Sequence, residues 1–255
     1  MIVNRLFGLI GYPLGHSWSK SYFDKKFLAE KIQDAEYQLF PVKDLSLLKS
    51  LPEIYPSLLG LNVTIPYKIS ILSHLDFISP VAAQVNAVNV VRIIRTGSKV
   101  SLHGYNSDVV GFERSIKPFL KSHHRSALIL GTGGASKAAA WVFSKLGISY
   151  VYVSRNPLGR FQIGYDELDN EILEKHTIIV NATPLGMNPD IHAKPQLPYH
   201  LISDRHLMFD MVYNPPETAF LGSGRKQGAT IINGLEMLHI QAEESWLIWN
   251  DLSFV

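Results

Sequence analysis

A glycine-rich turn lets backbone approach a pyrophosphate closely, and free N–H groups at a following helix N-terminus can meet the charge. The run Gly131-Thr132-Gly133-Gly134-Ala135-Ser136 has that composition in the required place, after an apolar stretch and before an Ala-rich one. Ser136 stands where the usual fingerprint has its third glycine, and a plain strand-to-helix turn is the competing reading. About 20 residues past such a turn, an NAD site places Asp or Glu on the ribose hydroxyls. Here stand Ser154 and Arg155. An arginine pairs with a 2′-phosphate and a serine donates to it, so the pattern leans toward NADP, against a surface arginine at a strand end.

Hydride chemistry on an alcohol needs a group that moves the proton. Lys68, in Asn62-Val63-Thr64-Ile65-Pro66-Tyr67-Lys68, follows an apolar run, and a partly buried lysine can serve. As a lone lysine it also reads as a solvated residue at a helix start. Asp108, in Gly104-Tyr105-Asn106-Ser107-Asp108, is the carboxylate best suited to pair with it, and Ser107 or Asp108 would equally cap a helix over 109–116. Ser17 and Ser19, in Gly15-His16-Ser17-Trp18-Ser19, offer hydroxyls beside a helix start, which suits a carboxylate ligand; an N-cap is the plainer reading. His16, His123 and His124 have no metal-ligand spacing, so no metal is expected.

The elements that must position these groups alternate between strand and helix. RLFGLIGY reads as a first buried strand, and residues 19–32 carry Tyr22, Phe23 and Phe27 on one helical face. Strand-length runs follow at 36–41, 58–65 and 87–94, with a helix predicted from Lys68 to Leu75. A compositional seam at 117–126, KPFLKSHHRS, is a candidate connection between two domains. Beyond it, SALIL, a helix over 136–146 and the strand 148–154 make a βαβ unit, followed by strand-like runs in TIIVNAT and LMFDMVY. After 229–232 the chain enters its last helix. The last helix places Leu235, Leu238, Ala242, Trp246 and Trp249 on one stripe. The pattern predicts an α/β fold with mostly parallel sheet, and a reaction in the cleft between a substrate domain and a dinucleotide domain.

At 255 residues, with 46% hydrophobic and 18% charged, the chain can bury one large core or two modest ones. The formal net charge of +2 comes from scattered Lys and Arg, giving no basic stripe for nucleic acid. There is no cysteine, which excludes disulfides, thiolate metal sites and cysteine nucleophiles and makes the cytoplasm the expected compartment. No run reaches the length of a membrane span, so no membrane partner is expected.

Taken together the motifs resemble the shikimate dehydrogenase family along nearly the whole chain. They are GYPLGHSWS (11–19), NVTIPYK (62–68), AVN (87–89), GYNSDVVGF (104–112), GTGGASKAA (131–139), NATPLGM (181–187), DMVYNPPET (210–218) and GLEMLHIQAEESW (234–246). The resemblance implies an N-terminal α/β substrate domain over residues 1–106, completed by a C-terminal helix over 235–255. A Rossmann-type NADP-binding domain would occupy 107–234, with the active site in the interdomain cleft. The implied reaction is the reversible NADPH-dependent reduction of 3-dehydroshikimate to shikimate, on the route to chorismate and the aromatic amino acids. By the same resemblance Lys68 is the acid/base and Asp108 holds it and a substrate hydroxyl. Ser17 and Ser19 grip the substrate carboxylate, while Thr64, Asn89, Tyr213 and Gln241 face the ring and its hydroxyls. Gly131, Thr132, Gly133, Gly134 and Ala135 cradle the pyrophosphate, Ser154 and Arg155 the 2′-phosphate, and Met211 and Gly234 lie near the nicotinamide. Monomer and homodimer both remain open.

The chain departs from the family pattern in places. Asn86 stands where a glycine is usual, Val90 and Ser107 where threonine is, and Lys20 where proline is. The usual Asn-Arg-Thr is Ser154-Arg155-Asn156, with the next arginine displaced to Arg160. The alternatives are a paralogue using quinate or an aminoshikimate with relaxed cofactor choice, and a non-catalytic dinucleotide-binding regulator.

Overall fold

The computed structural model describes residues 4–15 and 17–250; His16 lies outside them. The chain forms two compact units, one made of the chain up to Ser107 and from Gln241 onward, the other of Asp108–Ile240. The seam expected at 117–126 therefore falls inside the second unit. There His123 and His124 both point a ring nitrogen at the Arg205 carbonyl, which ties the segment down.

The first unit contains β1 (Arg5–Gly11), α1 (Trp18–Ala29), β2 (Ala35–Pro41), α2 (Leu51–Ile54), β3 (Leu58–Val63), β4 (Phe77–Ile78), α3 (Pro80–Val85), β5 (Val90–Thr96) and β6 (Lys99–Tyr105). Its sheet has the order β2-β1-β3-β5-β6-β4. β1 runs parallel to β2 and β3, and β4 parallel to β6, whereas β5 is antiparallel to both neighbours. The β5–β6 hairpin closes on Gly97-Ser98 between the paired Thr96 and Lys99, with Gly97 at φ +60°. That two-residue Gly-Ser turn is a hairpin signal in the sequence itself, yet the strands expected above do not include β6.

Alternation along β1 divides the unit into two cores. Leu6 and Ile10 face a cluster with Leu61, Val63, Ile71 and Ala82, on the side of α2 and α3. Phe7 and Leu9 face an aromatic cluster with Phe23, Phe27, Tyr37 and Trp249. The helix expected over 68–75 is reduced to a 3-10 turn, Ser70–His74. Its cause is local: the Lys68 carbonyl, which would accept the Leu72 N–H in an α-helix, accepts Val88 N–H at 2.7 Å instead, and Leu72 N–H turns to Ile69.

The second unit contains α4 (Asp108–Ile116), β7 (Ser126–Leu130), α5 (Gly134–Lys145), β8 (Ser149–Val153), β9 (Gln162–Ile163), α6 (Asn170–Lys175), β10 (Ile178–Asn181), β11 (Leu207–Asp210), α7 (Ala219–Lys226) and β12 (Thr230–Ile232). The final helix, α8 (Leu235–Trp249), starts here and passes into the first unit at Gln241. All strands pair in parallel in the order β12-β11-β10-β7-β8-β9. Numbered within the unit, this is the 3-2-1-4-5-6 order of the doubly wound dinucleotide fold, read from the other edge. Every residue of β7 is buried, as a central parallel strand requires. Of the stripe on α8, Ala242, Trp246 and Trp249 pack in the aromatic core, while Leu235 is 38% exposed.

Candidate active site

In the first unit one edge of the sheet collects chain segments distant in sequence. β1, β3 and β6 end there, and the reversed strand β5 begins there. Backbone hydrogen bonds fix the junction: Thr64 N–H to Ile10 O at 3.0 Å, Val63 N–H to Asn89 O at 2.8 Å and Asn89 N–H to Tyr105 O at 3.1 Å. The Val88 N–H bond to Lys68 O adds the lysine, so Thr64, Lys68 and Asn89 share one edge, with Lys68 half-buried. Asn86, just before them, is the left-handed residue that ends α3, at φ 55° and ψ 43°. Asparagine tolerates that conformation, so the glycine usual in the family is dispensable.

Ser17 is the N-cap of α1, its Oγ accepting from Lys20 N–H at 3.4 Å, a bond that a proline at position 20 would abolish. Ser19 lies in the first turn of the same helix and is hydrogen-bonded through its side chain to Tyr37. The Tyr37 ring is fully buried, and burial pushes its phenol well above the usual tyrosine range.

From Tyr37 a chain of side-chain hydrogen bonds runs through the unit. Tyr37 Oη donates to Asn62 Oδ1 at 2.9 Å, Asn62 Nδ2 donates to Ser245 Oγ at 2.8 Å, and Ser245 Oγ donates to Gln241 O at 2.8 Å. Ser245 Oγ also lies 3.5 Å from Ser107 Oγ, which accepts from Asn89 Nδ2 at 3.1 Å. Ser107 N–H returns a bond to Asn89 Oδ1 at 2.7 Å. Ser19, Asn89 and Gln241, expected from the sequence, are thus connected by Tyr37, Asn62 and Ser245, which sequence reasoning misses. Asn62 and Ser245 stand inside the motifs NVTIPYK and GLEMLHIQAEESW, but neither motif signals the bond between them, and Tyr37 stands in no motif.

In the second unit Gly131, Thr132 and Gly133 form the turn between β7 and α5, with Gly133 as N-cap and Gly134 and Ala135 opening the helix. Gly131 has φ +99°, which favours glycine, and a Cβ there would also press on Thr183 Cγ2 at 3.1 Å. Ser136, in place of the third glycine, is buried and donates to Gly133 O at 2.6 Å, which holds the turn closed. Gly131 N–H bonds to Val153 O at 2.9 Å, so the turn adjoins the end of β8, where half-buried Ser154 and exposed Arg155 follow. The open turn, the N-terminus of a 12-residue helix and a nearby arginine fit the phosphates of a dinucleotide.

The ends of β10 and β11 are joined by a buried carboxylate. Asp210 Oδ1 accepts from Asn181 Nδ2 at 2.9 Å and Val212 N–H at 3.0 Å, and Oδ2 accepts from Thr218 Oγ1 at 2.5 Å. Burial outweighs these bonds and raises its pKa to about 6. Met211 and Tyr213 follow directly, and Gly234 N–H bonds to Val212 O at 3.2 Å, so all three expected residues are held together by this clamp. Burial also raises the Tyr213 phenol. Asp108, buried, is the first residue of α4 in this same unit, whereas Lys68 belongs to the first. Among the described residues no cluster of His, Asp and Glu could hold a metal ion, and no helix is long and apolar enough to cross a membrane.

A parallel sheet in the doubly wound order, with its glycine turn at the head of α5, defines a Rossmann-type dinucleotide-binding unit, here joined to a second α/β unit rich in polar groups at one sheet edge. Residues 9–91 match the family model of the shikimate dehydrogenase substrate binding domain. The NADP(+) shikimate dehydrogenase of Caldanaerobacter subterraneus subsp. tengcongensis is 33% identical over 96% of this chain and 91% of its own. The crystal structure of shikimate dehydrogenase 1 from Peptoclostridium difficile superposes with a TM-score of 0.84 at 36% identity, over 97% of this chain and 92% of that one. The shikimate 5-dehydrogenase of Thermus thermophilus, solved with NADP(H) and shikimate, gives 0.83 at 28% identity, over 97% and 94%. The chain belongs to the shikimate dehydrogenase family.

Proposed function

We propose that this chain catalyses the reversible NADPH-dependent reduction of 3-dehydroshikimate to shikimate, on the route to chorismate and the aromatic amino acids. The observation that carries the reading is the single sheet edge where Thr64, Lys68 and Asn89 are bound together by backbone hydrogen bonds. A polyhydroxylated ring acid needs such a set: several neutral donors and acceptors and one cation that can give up a proton. Residues 1–106 with 235–255 form the substrate domain in this reading, and 107–234 the NADP domain.

Gly131 to Ala135 hold the pyrophosphate on backbone N–H groups, Ser154 and Arg155 read the 2′-phosphate, and Met211 and Gly234 border the nicotinamide. Bound NADPH supplies the hydride. Lys68 Nζ gives a proton to the substrate oxygen during reduction and takes it back during oxidation. Asp108 holds the ammonium and a substrate hydroxyl in place. Ser17 and Ser19 bind the carboxylate, and Thr64, Asn89, Tyr213 and Gln241 orient the ring hydroxyls.

Steady-state oxidation of shikimate and of quinate, each with NADP and with NAD, tests the reading, together with Lys68→Ala. Turnover confined to shikimate with NADP, and a kcat lowered about 10²- to 10⁴-fold in the variant with KM changed far less, is the expected result. Equal use of quinate or NAD would move the chain to a broader dehydrogenase, and a near-normal Lys68→Ala rate would remove the lysine from the chemistry.

A further inference from the structure

Ser245 is fully buried on α8, one turn beyond Gln241, and its hydroxyl joins three parts of the fold. Its one proton is committed to Gln241 O, so Oγ receives Asn62 Nδ2–H from β3 and faces Ser107 Oγ from the segment after β6. A helix packed on a sheet by apolar contacts alone can rotate or slide with little loss, because such contacts are non-directional. Here a directional bond is added at one point. Asn62 in turn is oriented by Tyr37, whose ring is stacked on Phe23 with centroids 4.6 Å apart and cannot easily turn.

Gln241 and Ser245 lie four residues apart and so on the same face of α8. Asn89 is bonded to Ser107, the other neighbour of Ser245. Resting on the function proposed above, we infer that Asn62 and Ser245 are positioning residues for the substrate. They lock the rotation of α8 over the sheet and thereby set Gln241 relative to Asn89. Neither side chain needs to touch the substrate. Removing the Ser245 hydroxyl frees the helix and leaves the half-buried Asn62 amide without that partner.

The test is a double-mutant cycle on KM for shikimate, with Ser245→Ala and Gln241→Ala singly and together, and Asn62→Ala as a second probe. Ser245→Ala is expected to raise KM for shikimate about tenfold, the scale of one lost directional bond, with kcat changed less and KM for NADP moved less than twofold. In the Gln241→Ala background the same substitution is expected to have no further effect on KM. A purely structural role would lower the melting temperature and leave KM for shikimate within twofold, or add the same factor in both backgrounds, and either result overturns the inference. Should Ser245→Ala fail to fold, Asn62→Ala reads the same coupling. A wild-type protein inert toward shikimate overturns the functional reading and this inference with it. An active wild type with an additive cycle overturns the inference alone.

Discussion

Asp210 offers a sharp test of how the second unit is held together. Its carboxyl is buried at the end of β11, and its pKa rises from the ordinary 3.8 to about 6 even though three donors point at it. The folded chain therefore holds this proton more tightly than the unfolded chain. Between those two values stability falls as pH rises, and above about 6 the full cost is in place. At 1.36 kcal/mol per tenfold change, that cost is about 3 kcal/mol at neutral pH. Asp210→Asn keeps the shape and can still accept from Asn181 and Val212, while the Thr218 hydroxyl turns to accept. The variant should gain stability relative to wild type as pH is raised from about 4 to about 7, by about 2 kcal/mol across the interval. Any fixed cost of the amide shifts the whole curve and leaves this slope untouched. Urea unfolding of both proteins across that range, followed by circular dichroism, measures the difference. A difference constant to within about 0.5 kcal/mol would refute the argument that burial, and not the three hydrogen bonds, dominates this carboxylate.

Histidines at the other ends of the strands act in the opposite sense. Burial lowers the pKa of His124, His176 and His206 below 6.5, so their share of stability is present above that value and is lost as pH falls from it through the lowered folded-state pKa. Asn in place of His206 should flatten the acid limb of the stability curve by up to one proton, and an unchanged slope in the same urea series would show that His206 does not contribute. Arg155→Ala should raise KM for NADP about tenfold and leave KM for NAD within twofold, measured side by side. Equal weakening of both cofactors would mean that Arg155 does not read the 2′-phosphate.

The readable parts of this chain are those whose cause is local. The fully apolar β7, the glycine turn and the Ala-rich start of α5 lie consecutively in sequence, and the structure assembles them consecutively. Gly97-Ser98 is equally local, a hairpin signal that the expected strands nonetheless leave out. The missing helix after Lys68 is not, because the competing donor, Val88 N–H, comes from 20 positions away. The pairing of Asn62 with Ser245 is invisible for the same reason, although each stands in a motif: the bond spans 183 positions. Asp210 and Asn181 sit inside recognisable motifs, yet an isolated Asp at a strand end gives no sign that it will be buried.

The way Trp249 closes on Gly60 has a consequence for synthesis on the ribosome. A Cβ at residue 60 would fall 2.2 Å from Trp249 Cδ1, and Trp249 Nε1–H donates to Val91 O, so β3 and β5 are shaped for an indole that emerges more than 150 positions later. Residues 108–240 are complete before Gln241 leaves the exit tunnel, whereas the earlier strands must wait with Phe7, Phe23 and Tyr37 lacking their cover. The nascent chain is thus expected to mature from its middle outward, and its first half is the part that has most need of a chaperone.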